Sequence, residues 1–148
     1  MILIVEDRSE STDFVRTLML RGYTIRWVNT MDDAVYYIEE KPGYNAFDAV
    51  ILDMDMPEEG LPDEAIDTAR ETFTGYAFYK HVLKISPELQ EKTIFLSEFT
   101  DELKKRISAE KYEKLKLVSK KNKDRLVIIE TTLKSWSIKP VFREGNAV

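Results

Sequence analysis

Two stretches of this chain are apolar without alternation. Ile2-Leu3-Ile4-Val5 and Val50-Ile51-Leu52 place hydrophobic side chains at consecutive positions, and acids follow at once, Glu6-Asp7 after the first and Asp53 after the second. A strand with one wet face alternates polar and apolar residues. A short continuous run fits a strand covered on both faces, the usual condition in a parallel sheet. An acid directly after such a run sits where the strand's carboxyl end leaves the core.

The segments between these runs have helical spacing. Ser9 or Ser11 can cap a first helix carrying Phe14, Val15 and Leu18, and Gly22 can close it. Residues 23–28 read as a second strand. Thr30 and Asp33 then open a helix carrying Ala34, Val35 and Ile38, stopped at Pro42-Gly43. Residues 47–52 form the third strand. Residues 75–83 are helical, with Phe78 and Val82 four apart, and Ser86-Pro87 breaks the pattern. Residues 93–96 are a fourth strand ending at Ser97, and Thr100 caps a long charged helix through Lys114. Residues 115–118 are a fifth strand ending near Lys120, and 126–136 form the last helix.

Strand and helix thus alternate five times, which predicts an α/β fold: a doubly wound, five-stranded parallel sheet with helices on both faces. Ligands of such sheets bind beyond the carboxyl ends of the strands, at a topological switch point. That rule gathers Glu6, Asp7, Asp53, Ser97 and Lys120 at one edge.

Composition limits the rest. A length of 148 residues, 43% apolar and 33% charged, suits one globular domain. The absence of cysteine excludes disulfides, thiolate catalysis and cysteine-based zinc sites. The apolar opening is too short for a signal peptide or a membrane span, so a cytoplasmic location is expected. The net charge of −5 argues against generic nucleic-acid binding. It is unevenly spread: residues 58–74 are acidic and 101–125 basic, and either run can be simply a solvated face.

Clustered carboxylates repel one another unless a cation neutralises them, and a hard ion with oxygen ligands, Mg²⁺ above all, suits such a cluster. Lys120 is a compact charge for a phosphoryl oxygen, and Ser97 offers a hydroxyl. Phosphoryl transfer asks mainly for positioning and charge neutralisation. Asp53 flanked by these groups reads as a nucleophile forming an aspartyl phosphate.

In order along the chain, Val5-Glu6-Asp7, Leu52-Asp53-Met54-Asp55-Met56-Pro57, Leu96-Ser97 and Val118-Ser119-Lys120 resemble the signature of response-regulator receiver domains of two-component signalling. The resemblance covers residues 1–137, with 138–148 as a short tail, and implies the flavodoxin-like form of the fold. It makes Asp53 the phosphoacceptor, Asp7 a direct ligand of Mg²⁺ and Glu6 a mostly water-mediated one, with Asp55 offering its backbone carbonyl. Lys120 would bind the phosphoryl group and Ser97 would be the switch hydroxyl. It further implies a histidine kinase or histidine phosphotransfer protein as donor. The downstream protein partner would dock on the fourth helix, fifth strand and fifth helix, with no direct contact to nucleic acid or membrane.

Four features depart from that pattern. The interval 58–74 is an insertion, readable as a lid or specificity element or as a tolerated surface loop; its residues 63–73 can form a short helix with Ala65, Ile66, Ala69 and Phe73 on one side. Glu98 stands where the family has a small residue, and would either crowd and repel a donor or turn to solvent. Leu117 replaces the usual aromatic switch, and Lys121 replaces a proline, removing the cis peptide that proline permits. These changes leave open a phosphorylation-independent interaction module. Asp53-Met54-Asp55 also resembles the acid pair of haloacid dehalogenase-like phosphatases, but those place the nucleophile after the first strand, whereas two strands precede it here. His81 is expected to be structural or at the surface, and Trp27 and Trp136 are expected to be core and helix-packing residues rather than a stacking platform.

Overall fold

A computed structural model describes residues 1–8, 13–69, 73–98 and 100–141. The elements run β1 (Ile2–Val5), α1 (Asp13–Leu20), β2 (Ile25–Val28), α2 (Met31–Glu39), β3 (Ala49–Asp53), α3 (Asp63–Ala69), α4 (Thr74–His81), α5 (Pro87–Glu91), β4 (Thr93–Ser97), α6 (Thr100–Arg106), α7 (Ala109–Glu113), β5 (Lys116–Ser119) and α8 (Arg125–Ser135). The proposed capping residues Ser9 and Ser11 lie outside the described residues. All strand pairings are parallel, in the order β2-β1-β3-β4-β5. The chain therefore steps outward from β1 to β2 and then returns to the other side of β1, so the switch point lies between β1 and β3. Among the described residues no helix is long and apolar enough to cross a membrane.

Two apolar clusters form because successive side chains of a strand point to opposite faces. Leu3, Val5, Val50, Leu52 and Phe95 pack with α2 and α4 on one face. Ile2, Ile4, Ile51, Ile94 and Leu96 pack with Phe14, Val15 and Leu18 of α1 and Ile129 and Leu133 of α8 on the other. β1 and β3 are buried throughout, which accounts for their unbroken apolar sequence.

Local hydrogen bonding explains where the elements depart from the sequence reading. β2 starts at Ile25 because the Tyr23 amide donates to Leu18 O (3.1 Å) and closes α1, with Gly22 in the left-handed region at φ 96°. A 3-10 turn over Tyr44–Ala46 delays β3 to Ala49. Ser86-Pro87 starts a helix as well as ending one: the Ser86 hydroxyl accepts from the Leu89 amide (3.3 Å), and Pro87 occupies the first turn of α5. The expected long helix through Lys114 is two helices, since Ser108 is extended and caps α7 through the Lys111 amide (3.3 Å). Beyond α8, Trp136 and Ile138 pack against the second cluster and the Val141 amide reaches Gly22 O (2.8 Å), so residues 138–141 fold back onto the domain.

The insertion is joined to the core. Leu61 is 5% exposed and Ala65 fully buried, both in the cluster that contains α2 and α4. Gly60, at φ 97°, lies so close to α2 that a Cβ would fall 2.4 Å from Asp32 Cα. The segment thus contributes packing, which the reading as a loose surface loop does not anticipate. Leu61→Ala is expected to destabilise the chain by about 2–4 kcal/mol in urea unfolding; a loss below about 0.5 kcal/mol would show that the segment detaches freely from the core.

Candidate functional site

Ladder hydrogen bonds carry the site residues just past the strand ends. The Glu6 amide donates to Val28 O (3.1 Å), the Met54 amide to Leu96 O (2.9 Å) and the Lys120 amide to Ser97 O (3.0 Å). Asp53 closes β3 between β1 and β4, so Glu6, Asp7 and Ser97 flank it. Trp27, on β2, is 43% exposed and not a core residue; its indole Nε1 donates to Glu6 O (3.0 Å) and secures the end of β1.

The side chains converge. Asp53 is fully buried, and its Oδ1 accepts from the Asp55 amide (3.0 Å) while Lys120 Nζ stands 3.0 Å away. Lys120 Nζ is also 3.2 Å from Glu6 Oε2, and the other Glu6 oxygen accepts from the Arg8 amide (3.1 Å). The Asp55 side chain is exposed, so this residue enters the site through its backbone. Gly75, at the start of α4, donates to Met54 O (3.0 Å), and a Cβ there would meet Asp53 O at 2.3 Å. Glycine is what lets α4 close against the acceptor loop.

Burial and the neighbouring Glu6 push the Asp53 carboxyl up to about 8, against the opposing pull of the Asp55 amide and Lys120. Burial lowers the proton affinity of Lys120, but Asp53 and Glu6 outweigh it and the net direction is upward. The cluster therefore carries more negative charge than one ammonium offsets.

Glu6, Asp7 and Asp53 present ligand atoms that all lie within 4.8 Å of one another. Glu6 Oε2, Asp7 Oδ1 and Asp53 Oδ2 are buried without hydrogen-bond partners, the first having only its ion contact with Lys120. Oxygen donors alone, converging and partnerless, fit a hard divalent cation. Ser97 is 2% exposed and stands opposite Ser119 in the β4–β5 ladder. His81 lies at the end of α4, apart from this group.

No protein-family profile matches the sequence, and no match was found among curated proteins. Solved structures do match. A CheY-like response regulator receiver domain from Methylobacillus flagellatus is 22% identical with a TM-score of 0.60, over 91% of this chain and 96% of that one. A two-component transcriptional regulator AraC from Clostridium phytofermentans is 20% identical with a TM-score of 0.58, over 93% and 91%. The Mn(2+)-bound form of response regulator Rcp1 is 14% identical with a TM-score of 0.50, over 95% and 96%. The chain has the receiver-domain fold.

Against that receiver frame, the unusual residues have definite surroundings. Leu117 is half-buried and packs on the core. The Lys121 amide donates to the Ser119 hydroxyl (3.2 Å), a bond that a proline could not make, and Arg125 Nη1 donates to Lys120 O (3.0 Å), so the turn after β5 is held by hydrogen bonds. Glu98 is paired with Arg8, Oε1 to Nη1 at 2.7 Å. Arg8 was not singled out by the sequence; a lone arginine after an acid pair carries no signal until the fold brings residue 98 opposite it.

Because the folded Asp53 value near 8 exceeds the ordinary carboxyl range, this group's contribution to stability is complete below that range and is lost as pH rises through about 8. In a chelating buffer, Asp53→Asn is expected to gain stability over the wild type from about pH 5 to pH 9, reaching on the order of 1–3 kcal/mol. A pH-independent difference in thermal midpoint would contradict the electrostatic account.

Proposed function

We propose that this chain is a response regulator that accepts a phosphoryl group on Asp53 from the phosphohistidine of a histidine kinase or histidine phosphotransfer protein, and signals through protein contact. The observation that carries the reading is the state of the Asp53 carboxylate. Its Oδ1 is fixed by the Asp55 amide and Lys120 Nζ, while Oδ2 is buried and has no hydrogen-bond partner. One oxygen orients the group, and no hydrogen bond has to be broken at the other before the cation or the phosphoryl group reaches the carboxylate.

Glu6, Asp7 and Asp53, with the Asp55 carbonyl, would hold Mg²⁺, which neutralises the carboxylates and the incoming phosphoryl oxygens when bound. Rcp1, of similar fold, is known in an Mn(2+)-bound form, which supports a divalent cation for this chain as well. Lys120 keeps its ammonium beside Asp53 and is free to rotate one donor onto a transferred oxygen. Ser97 supplies the switch hydroxyl at the end of β4. The acceptor oxygen attacks phosphorus as the donor's P–N bond breaks, and nitrogen takes the electron pair.

Transmission passes from the ends of β4 and β5 to α6, α7 and α8. Lys104, Lys105, Lys111, Lys114 and Lys116 outnumber the acids of α6 and α7, although Lys105 and Lys114 are paired with Glu102 and Glu110, and the remaining positive charge favours an acidic protein partner.

With Mg²⁺ and phosphoramidate, or with a phosphorylated histidine kinase, intact mass spectrometry is expected to show a gain of one phosphoryl group. Chelation or Asp53→Asn abolishes the gain, and Lys120→Ala slows it by at least about tenfold. No incorporation from either donor would instead favour a phosphorylation-independent interaction module.

A further inference from the structure

The pair formed by Arg8 and Glu98 has a position that its sequence neighbours do not suggest. Arg8 follows β1 and Glu98 follows β4, and β3 lies between those strands. A 2.7 Å bond from Arg8 Nη1 to Glu98 Oε1 therefore joins the segments that follow the two strands flanking β3, whose carboxyl end carries Asp53. Glu98 has neither turned freely to solvent nor been left as an unpaired negative charge. Both side chains are partly exposed, at 38% and 29%, so the bond is open to exchange with an incoming group.

Glu98 is the leading charge acting on the guanidinium, and Asp53, Asp7 and Asp55 also attract it. Its backbone is anchored, since the Arg8 amide holds Glu6 Oε1 at 3.1 Å. A dianionic phosphoryl group arriving on Asp53 adds negative charge to a site where Lys120 already serves two carboxylates. Arg125 donates to Lys120 O, a backbone carbonyl, whereas Arg8 is held by a single exchangeable carboxylate. A guanidinium has five N–H donors in a planar fork suited to phosphoryl oxygens.

We propose that Arg8 is a second phosphoryl-binding cation of this site, held by Glu98 until an incoming phosphoryl group takes the carboxylate's place. This rests on Asp53 being the acceptor. Glu98 then sets reactivity: a donor must exchange one anionic partner of Arg8 for another, and small donors with no other contacts meet that cost in full. Transfer itself is unchanged, the Asp53 oxygen to phosphorus bond forming as the P–N bond of phosphoramidate breaks and ammonia leaves.

The test measures the rate of phosphoryl incorporation from phosphoramidate with Mg²⁺, as a function of donor concentration, for wild type, Glu98→Gln, Arg8→Ala/Glu98→Gln and Arg8→Lys/Glu98→Gln. Glu98→Gln is expected to react about three- to fivefold faster than wild type, the scale of releasing one partly exposed ion pair. Arg8→Ala/Glu98→Gln, which lacks the same negative charge, is expected to lose that gain and to need a higher donor concentration for half-maximal rate; lysine restores part of it. Equal rates for Glu98→Gln and Arg8→Ala/Glu98→Gln would overturn the proposal, because Arg8 would then only neutralise Glu98. So would a Glu98→Gln rate no faster than wild type. Incorporation in none of the variants, wild type included, would overturn the acceptor reading and this inference with it, a pattern distinct from either.

Discussion

The contacts of Lys120 with two buried carboxylates organise this molecule's functional edge. Its ammonium lies 3.0 Å from Asp53 and 3.2 Å from Glu6, and both carboxylates are fully buried. Such an arrangement is tolerated only where the fold supplies further partners. Here the Asp55 and Arg8 amides supply two of them, and the ladder bonds of Glu6, Met54 and Lys120 hold the three strand ends in place. One positive charge against three converging carboxylates still leaves an excess of negative charge. That excess links the fold to chemistry, since it is relieved by a proton on Asp53 below about pH 8 or by a divalent cation.

The sequence made this edge legible because continuous apolar runs mark parallel strands, and a parallel sheet brings the residues just past its strands' carboxyl ends to one side. Glu6, Asp7, Asp53, Ser97 and Lys120 could be gathered from that rule without any knowledge of distance. The Thr30 cap on α2 was equally readable, and the Asp33 amide does donate to its hydroxyl at 3.1 Å. Other features were written in the sequence but outweighed. Ser86-Pro87 carries both a helix stop and a helix start, and Ser108 inside a charged helical pattern hides a cap. Contacts between residues distant in the chain could not be read: Arg8 with Glu98, Gly60 against Asp32, and Gly75 against Asp53. Each depends on the relative placement of loops, which periodicity does not encode.

The insertion and the ion pair bear on how the receiver fold is used here. Leu61 and Ala65 tie the 58–69 segment to the helices on one face, so changes near Pro57 are mechanically connected to α2 and α4. Leu117 lacks the polar tip of an aromatic switch, and the turn after Lys120 is held by the Lys121 amide and Arg125 rather than by proline. In the proposed function, acceptance of a phosphoryl group depends on the buried cluster, while its readout depends on loops that this chain builds in its own way.

The most direct test of Asp53 as acceptor is the chemical identity of the modified residue. After incubation with phosphoramidate and Mg²⁺, borohydride reduction converts an aspartyl phosphate to homoserine, which peptide sequencing by mass spectrometry locates. Homoserine is expected at position 53 alone. Reduction at Asp7 or Asp55, or a phosphoryl group on His81 with position 53 unchanged, would contradict the assignment of Asp53.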